Sequence, residues 1–176
     1  MRIIPVEAQA IIDHFDMTKI PHEGPWFAST FKSADIVGGA VASRYQGNRS
    51  LYSAILAVFT ARDFSAMHRL QTDEIWHFHS GCPMEMLFLH SDGSGEIRSL
   101  GNNIAAGELP QILVRAGTWM GASPIGSEDE AYTLAGNTLA PGFEYEDYVP
   151  GFREELVSEY PKFAQMIVAL TREGES

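Results

Sequence analysis

The spacing of apolar residues changes twice along this chain, and the changes divide it into three stretches. Over residues 5–15, Val6, Ile11, Ile12 and Phe15 fall on one helical stripe, with Pro5 tolerated in a first turn, and predict a short N-terminal helix. The segment MTKIPHEGPW, with two prolines and a glycine, ends that pattern before a strand expected from Trp26 to Phe31. From Leu51 the periodicity becomes that of short β runs: LYSAILAVFT and MEMLFLH are nearly continuous in apolar residues, and SDGSG, NN and AGT separate the later runs. Strands so spaced, with no helices between them, indicate an all-β sandwich or barrel. A run that is apolar on both faces needs cover on both. The two faces of MEMLFLH, Met84, Met86 and Phe88 against Leu87 and Leu89, therefore call for either a subunit interface or helices from the termini. After Pro150, FREELVSEY and KFAQMIVALTR read as two short helices, the second opening on Pro161. We expect one domain over residues 1–176, with a helix over 1–16, the β unit over 26–149 and C-terminal helices over 150–173.

Composition narrows the partners. A net charge of −11 and a pI near 4.8 argue against a nucleic-acid binder, because phosphate neutralisation needs clustered Lys and Arg. A single cysteine, Cys82, forms no internal disulfide, the N-terminal stretch lacks the features of a signal peptide, and no apolar run is long enough to span a membrane. A cytoplasmic location, with no membrane partner, is the expectation.

The chemistry concentrates in HRLQTDEIWHFHSG, residues 68–81. In a strand, Glu74, Trp76 and Phe78 share one face and His77 and His79 the other, unless a bulge intervenes. His77, between two aromatics, is the histidine expected to be buried with a fixed hydrogen bond. His14, His22 and His90 carry no partner pattern.

These residues resemble the first signature of the cupin superfamily, with His68, Leu70, Glu74 and Gly81 at its spaced positions and leucine where a second histidine is usual. The second signature is similar to Arg115-Ala-Gly117-Thr-Trp119-Met120, with Met120 at the ligand position. The chain is further similar to a branch of small RmlC-like cupins of unassigned function, through HRLQTDEIWHF, AGTW, LAPGFEYEDY and the early loop HEGPWF, where Pro25 replaces a second glycine. The resemblance implies a mostly β fold, a double-stranded β-helix (the cupin jelly roll), usually homodimeric, with a small-molecule pocket inside the barrel. A cupin metal centre normally takes three histidines and a glutamate, and only His68 and Glu74 stand at those positions, so no metal cofactor is expected; a metal, if present, would rest on these two. Met120 is a soft thioether and, more simply, core filler.

Three functions follow. In metal-free epimerases of this superfamily a histidine oriented by an aspartate abstracts a proton beside a carbonyl. The resemblance would make His68 the base, Asp147 the orienting carboxylate and Tyr145 an acid, with Glu74 standing where those enzymes carry lysine. A non-catalytic binder would use Trp76, Trp119, Phe143 and Tyr145 as stacking surfaces, with His68 and Glu74 fixing orientation and Met120 beside them. An oligomeric structural protein with a vestigial pocket is the third.

Overall fold

The computed structural model describes residues 4–20, 24–126 and 131–172. His22 and Glu23 of the HEGPWF loop lie outside the described residues. In chain order the elements are α1 (Val6–His14), β1 (Thr18–Lys19), β2 (Trp26–Lys32), a one-turn helix α2 (Gly39–Ala42), β3 (Ser53–Thr60), β4 (Ser65–Leu70), β5 (Glu74–Gly81), β6 (Met84–Leu89) and β7 (Gly95–Leu100). They continue with β8 (Gln111–Val114), β9 (Trp119–Pro124), β10 (Tyr132–Leu139), β11 (Tyr148–Pro150), α3 (Arg153–Glu159) and α4 (Ala164–Ala169).

The strands form two antiparallel sheets, a six-stranded one in the order β1-β2-β3-β10-β5-β8 and a five-stranded one in the order β11-β4-β9-β6-β7. This is the jelly roll expected from the sequence. Consecutive strands β4 and β5 lie in opposite sheets, so the three residues joining them carry the chain across the sandwich. The inner faces meet in a core of Phe59, Trp76, Met84, Met86, Phe88, Ile112 and Met120, together with Ala57, Ala122 and Ala135.

The second face of MEMLFLH is covered by the chain's own C-terminus. Leu87 and Leu89 are fully buried beneath Leu156, Tyr160, Ile167 and Leu170 of the helical tail. Tyr160 also donates from its hydroxyl to the His90 carbonyl, and burial pushes its pKa up to about 12. On the opposite side α1 seats Ala8 and Ile12 against Val58, with Trp26 and Leu134 beside them. A four-layer arrangement results: helix, sheet, sheet, helices.

Gly81 closes β5 at φ +90°, and a Cβ there would collide with the Tyr132 carbonyl, so only glycine fits the end of this motif. No helix among the described residues is long and apolar enough to cross a membrane.

Candidate functional site

Between the sheets lies a cavity of about 270 Å³. Strand alternation decides what reaches it. On β4, Met67 and Arg69 face outward, the latter over the Trp119 ring at 4.5 Å, while His68 and Leu70 face inward and line the cavity. On β5, Glu74 and Trp76 face inward. The register against β10 is unbroken from Glu74 to His77, with Glu74 opposite Leu139 and His77 opposite Gly136; the irregularity falls only beyond Phe78. His77 therefore takes the outer face, as alternation predicts, and His79, the extra residue at the irregularity, lies on the same face against Gly136.

His77 is held there by two bonds. Gln111 Nε2 donates to its Nδ1 at 2.9 Å, and its Nε2, which then carries the proton, donates to Thr138 Oγ1 at 2.9 Å. Both nitrogens are satisfied in the neutral ring; burial and, after it, the neighbouring His79 hold His77 below the ordinary imidazole value.

His68 is 94% buried, since only 6% of its surface is exposed, and its Nδ1 lies 2.7 Å from the Ala66 carbonyl. A carbonyl only accepts, so Nδ1 carries the proton and the lone pair of the neutral ring sits on Nε2. Nε2 has no hydrogen-bond partner among the described residues. The ring stacks on Tyr148 with centroids 5.1 Å apart and planes 21° from parallel. Glu74, equally buried, accepts from Trp76 Nε1 on Oε2 at 2.8 Å and from Asn137 Nδ2 on Oε1 at 2.9 Å. Trp76 thus does two things: its ring lines the cavity against Phe59, and its N–H holds the carboxylate.

Three expectations need correction. Asp147 does not orient His68. The EYEDY segment is not a continuous strand: Tyr145–Asp147 form a 3-10 turn, which breaks alternation and buries Asp147 in a two-pronged pair with Arg49, Nε to Oδ2 at 2.7 Å and Nη2 to Oδ1 at 2.8 Å. That bond keeps the guanidinium firmly charged, above its ordinary pKa, and Arg49 also lies over the Tyr45 ring at 5.3 Å. The group that orients His68 is a backbone carbonyl. Trp119 does not line the pocket: it sits on the outer face of β9 with the C-terminal helix cluster. Met120 points inward opposite His68 but is fully packed in the inter-sheet core rather than on the cavity wall.

Tyr145 does line the cavity, at its mouth, edge-on to Phe143 with centroids 5.2 Å apart and 66% exposed. The tyrosine beside the histidine is Tyr148, which sequence reasoning passed over because the strand reading gave it no inward role. Asn137 was passed over as well. Its signal was an amide in the middle of an apolar strand, LAGNTL, at the parity of Ala135 and Leu139.

At two of the four positions where the resemblance would set metal ligands, this chain carries Leu70 and Met120, and Met120 is locked in the core. Among the described residues no group of three His, Cys, Asp or Glu side chains could hold an ion.

Comparison with known proteins agrees with the fold and the motif. A protein of Shewanella oneidensis, solved by crystallography, superposes with a TM-score of 0.82 at 27% identity, covering 94% of this chain and 97% of that one. A hypothetical protein from Leishmania major gives a TM-score of 0.82 at 25% identity, covering 94% and 99%. A Bacillus subtilis oxalate decarboxylase shares the fold alone, with a TM-score of 0.53 at 10% identity over 88% of this chain and 37% of its own. No match was found among curated proteins. The family model described as Cupin superfamily (DUF985) matches residues 9–150, which take in the whole jelly roll and both halves of the pocket pair, and the chain therefore belongs to that family.

Proposed function

We propose that the barrel interior binds a small organic molecule and that His68 moves a proton on it without a metal, an isomerase-type reaction. The observation that carries this reading is the bond from His68 Nδ1 to the Ala66 carbonyl, which leaves the basic lone pair on Nε2 of a buried ring lining the cavity. Tyr148, stacked on that ring, carries a phenolic hydroxyl and replaces Tyr145 as the candidate acid.

A second reading, binding without turnover, draws on a specific observation too. Asp147, the candidate for the carboxylate that orients the base in metal-free epimerases, is committed to Arg49. Glu74 also stands where those enzymes carry lysine, and a carboxylate would oppose an enolate.

One experiment separates the two. The protein is incubated in D2O with ketoses, nucleotide sugars and cyclic keto or amino compounds, and exchange into each is followed by proton NMR. The enzyme reading expects exchange into at least one compound that falls at least about a hundredfold in His68→Asn. Asparagine can still donate to the Ala66 carbonyl but offers no base at the Nε2 position. Thermal stabilisation by a compound with no exchange would sink the catalytic reading and leave the binder.

A further inference from the structure

Two histidines of β5 lie outside the barrel, and the irregularity beyond Phe78 brings their rings together. In a regular ladder His79 would stand opposite Leu134, but Ser80 takes that position and His79 is left as the extra residue. Its ring turns back over Gly136 instead, with Nε2 2.6 Å from the point where a Cβ on that glycine would stand. Gly136 is the residue directly opposite His77. The His79 imidazole thus fills the place of the side chain that would pair with His77 across the ladder, where Cβ atoms stand about 4.5–5.5 Å apart. Glycine at 136 keeps that gap open.

The surroundings suit ligation. His79 is exposed and His77 half-buried, while α1 covers a different part of this face, over Val58 and Leu134. His77 Nε2 donates to Thr138 Oγ1 and its Nδ1 accepts from Gln111, both at 2.9 Å. Both bonds can be exchanged. A ring that gives its Nε2 lone pair to a metal carries its proton on Nδ1, and the Gln111 amide, turned over, offers its carbonyl oxygen to that N–H. Such an outer partner fixes the ring of most metal-binding histidines. The bond to Thr138 is lost in the exchange, so that hydroxyl competes with the metal.

We propose that His77 and His79 form a two-histidine chelate for a borderline divalent metal ion on the outer face of the six-stranded sheet, with Gln111 as the partner that orients His77. Imidazole suits zinc, nickel and copper(II), whereas magnesium and calcium take oxygen ligands. Two protein ligands leave the remaining positions to water, so the ion is exchangeable, unlike one in a closed structural centre. The site lies on the opposite face of the sheet from the cavity, and it stands whether or not the barrel holds a ligand.

Calorimetric titration of the untagged full-length protein with nickel, zinc and magnesium chlorides, in a buffer that does not bind metals, tests this. One nickel or zinc ion should bind per chain, and magnesium should give no heat. His77→Ala and His79→Ala should each weaken nickel at least about tenfold, and Gln111→Leu should weaken it about tenfold. Two further variants touch neither ligand. Gly136→Ala puts a methyl group where the His79 ring lies and drives it from the gap, which should also weaken nickel; the backbone atom that methyl meets, the Ile55 carbonyl oxygen, is 3.4 Å away, so the fold is kept. Thr138→Val removes the competing hydroxyl and should tighten nickel by about two- to tenfold. Unchanged thermal midpoints check that each variant is folded.

Uptake that survives both histidine substitutions would overturn the proposal and mean an adventitious ion only, as would uptake of magnesium alongside nickel. Uptake indifferent to Gly136→Ala and Thr138→Val would overturn it as well, because the convergence above Gly136 would not be what binds. Absence of any nickel or zinc uptake ends it outright. In His68→Asn uptake should be unchanged; its loss there would place the ion in the barrel and overturn the proposal.

Discussion

Replacing Asp147 with alanine should destabilise the protein by about 3–5 kcal/mol, read as a fall in the urea midpoint at unchanged slope. The reason is Arg49, which is 3% exposed and would be left as a buried guanidinium. It also donates from Nη1 to the Asn48 carbonyl at 2.9 Å, so it is anchored on one side and cannot swing out to water without dismantling its own loop. Losing one partner of such a pair costs more than losing both. Arg49→Met combined with Asp147→Leu should accordingly recover most of the stability lost in the single variant. Additive losses in the double variant would mean that the pair is not coupled as its geometry indicates. The single variant should also loosen the stacking of Tyr148 on His68, because Tyr148 follows directly on the turn that Asp147 pins.

Leu87→Asp should be more damaging still. Leu87 is fully buried between the five-stranded sheet and the C-terminal helices, in one cluster with Leu156, Ile167 and Leu170. The substitution removes a core leucine, worth about 2–5 kcal/mol, and places a carboxylate where no donor waits, which costs several kcal/mol more. The sum approaches the whole stability of an ordinary domain, about 5–15 kcal/mol. Circular dichroism should show loss of the folded state, or limited proteolysis should cut between residues 150 and 172 as α3 and α4 come away. Ile97, directly across the ladder from Leu87 but half exposed, supplies the control: Ile97→Asp should leave the midpoint almost unchanged. A folded, protease-resistant Leu87→Asp protein would show that the helical tail is not what covers this face.

Where the chain repeats with a period, its sequence was enough. The apolar alternation of β5 and β6 placed Glu74 and Trp76 inward, His77 and His79 outward, and demanded cover for Leu87 and Leu89 that the C-terminal helices supply. The resemblance to the cupin signature also paired His68 with Glu74. What sequence could not give lay where period 2 fails. The turn at Tyr145–Asp147 rotated Asp147 away from the site and set Tyr148 inside it, and no periodic signal marks a 3-10 turn in advance. Trp119 follows a glycine turn in which Gly117 adopts φ +82°, and the parity it leaves the turn with depends on that backbone, not on residue type. Arg49 lies in a loop with no alternation, and its partner is 98 residues away in the chain, a pairing that only the folded topology creates.

The crossing of the chain between β4 and β5 has a consequence for how such a protein changes over time. His68 hangs from one sheet and Glu74 from the other, so the gap between them is set by the thickness of the core, by side chains such as Met84, Met86 and Phe88 that do not line the cavity. A methionine exchanged for a valine in that layer would draw the sheets together and narrow the chemistry along with them. Selection for stability and selection for ligand choice thus act on the same residues, and a lineage that repacks its interior retunes its site without altering a single residue that lines it.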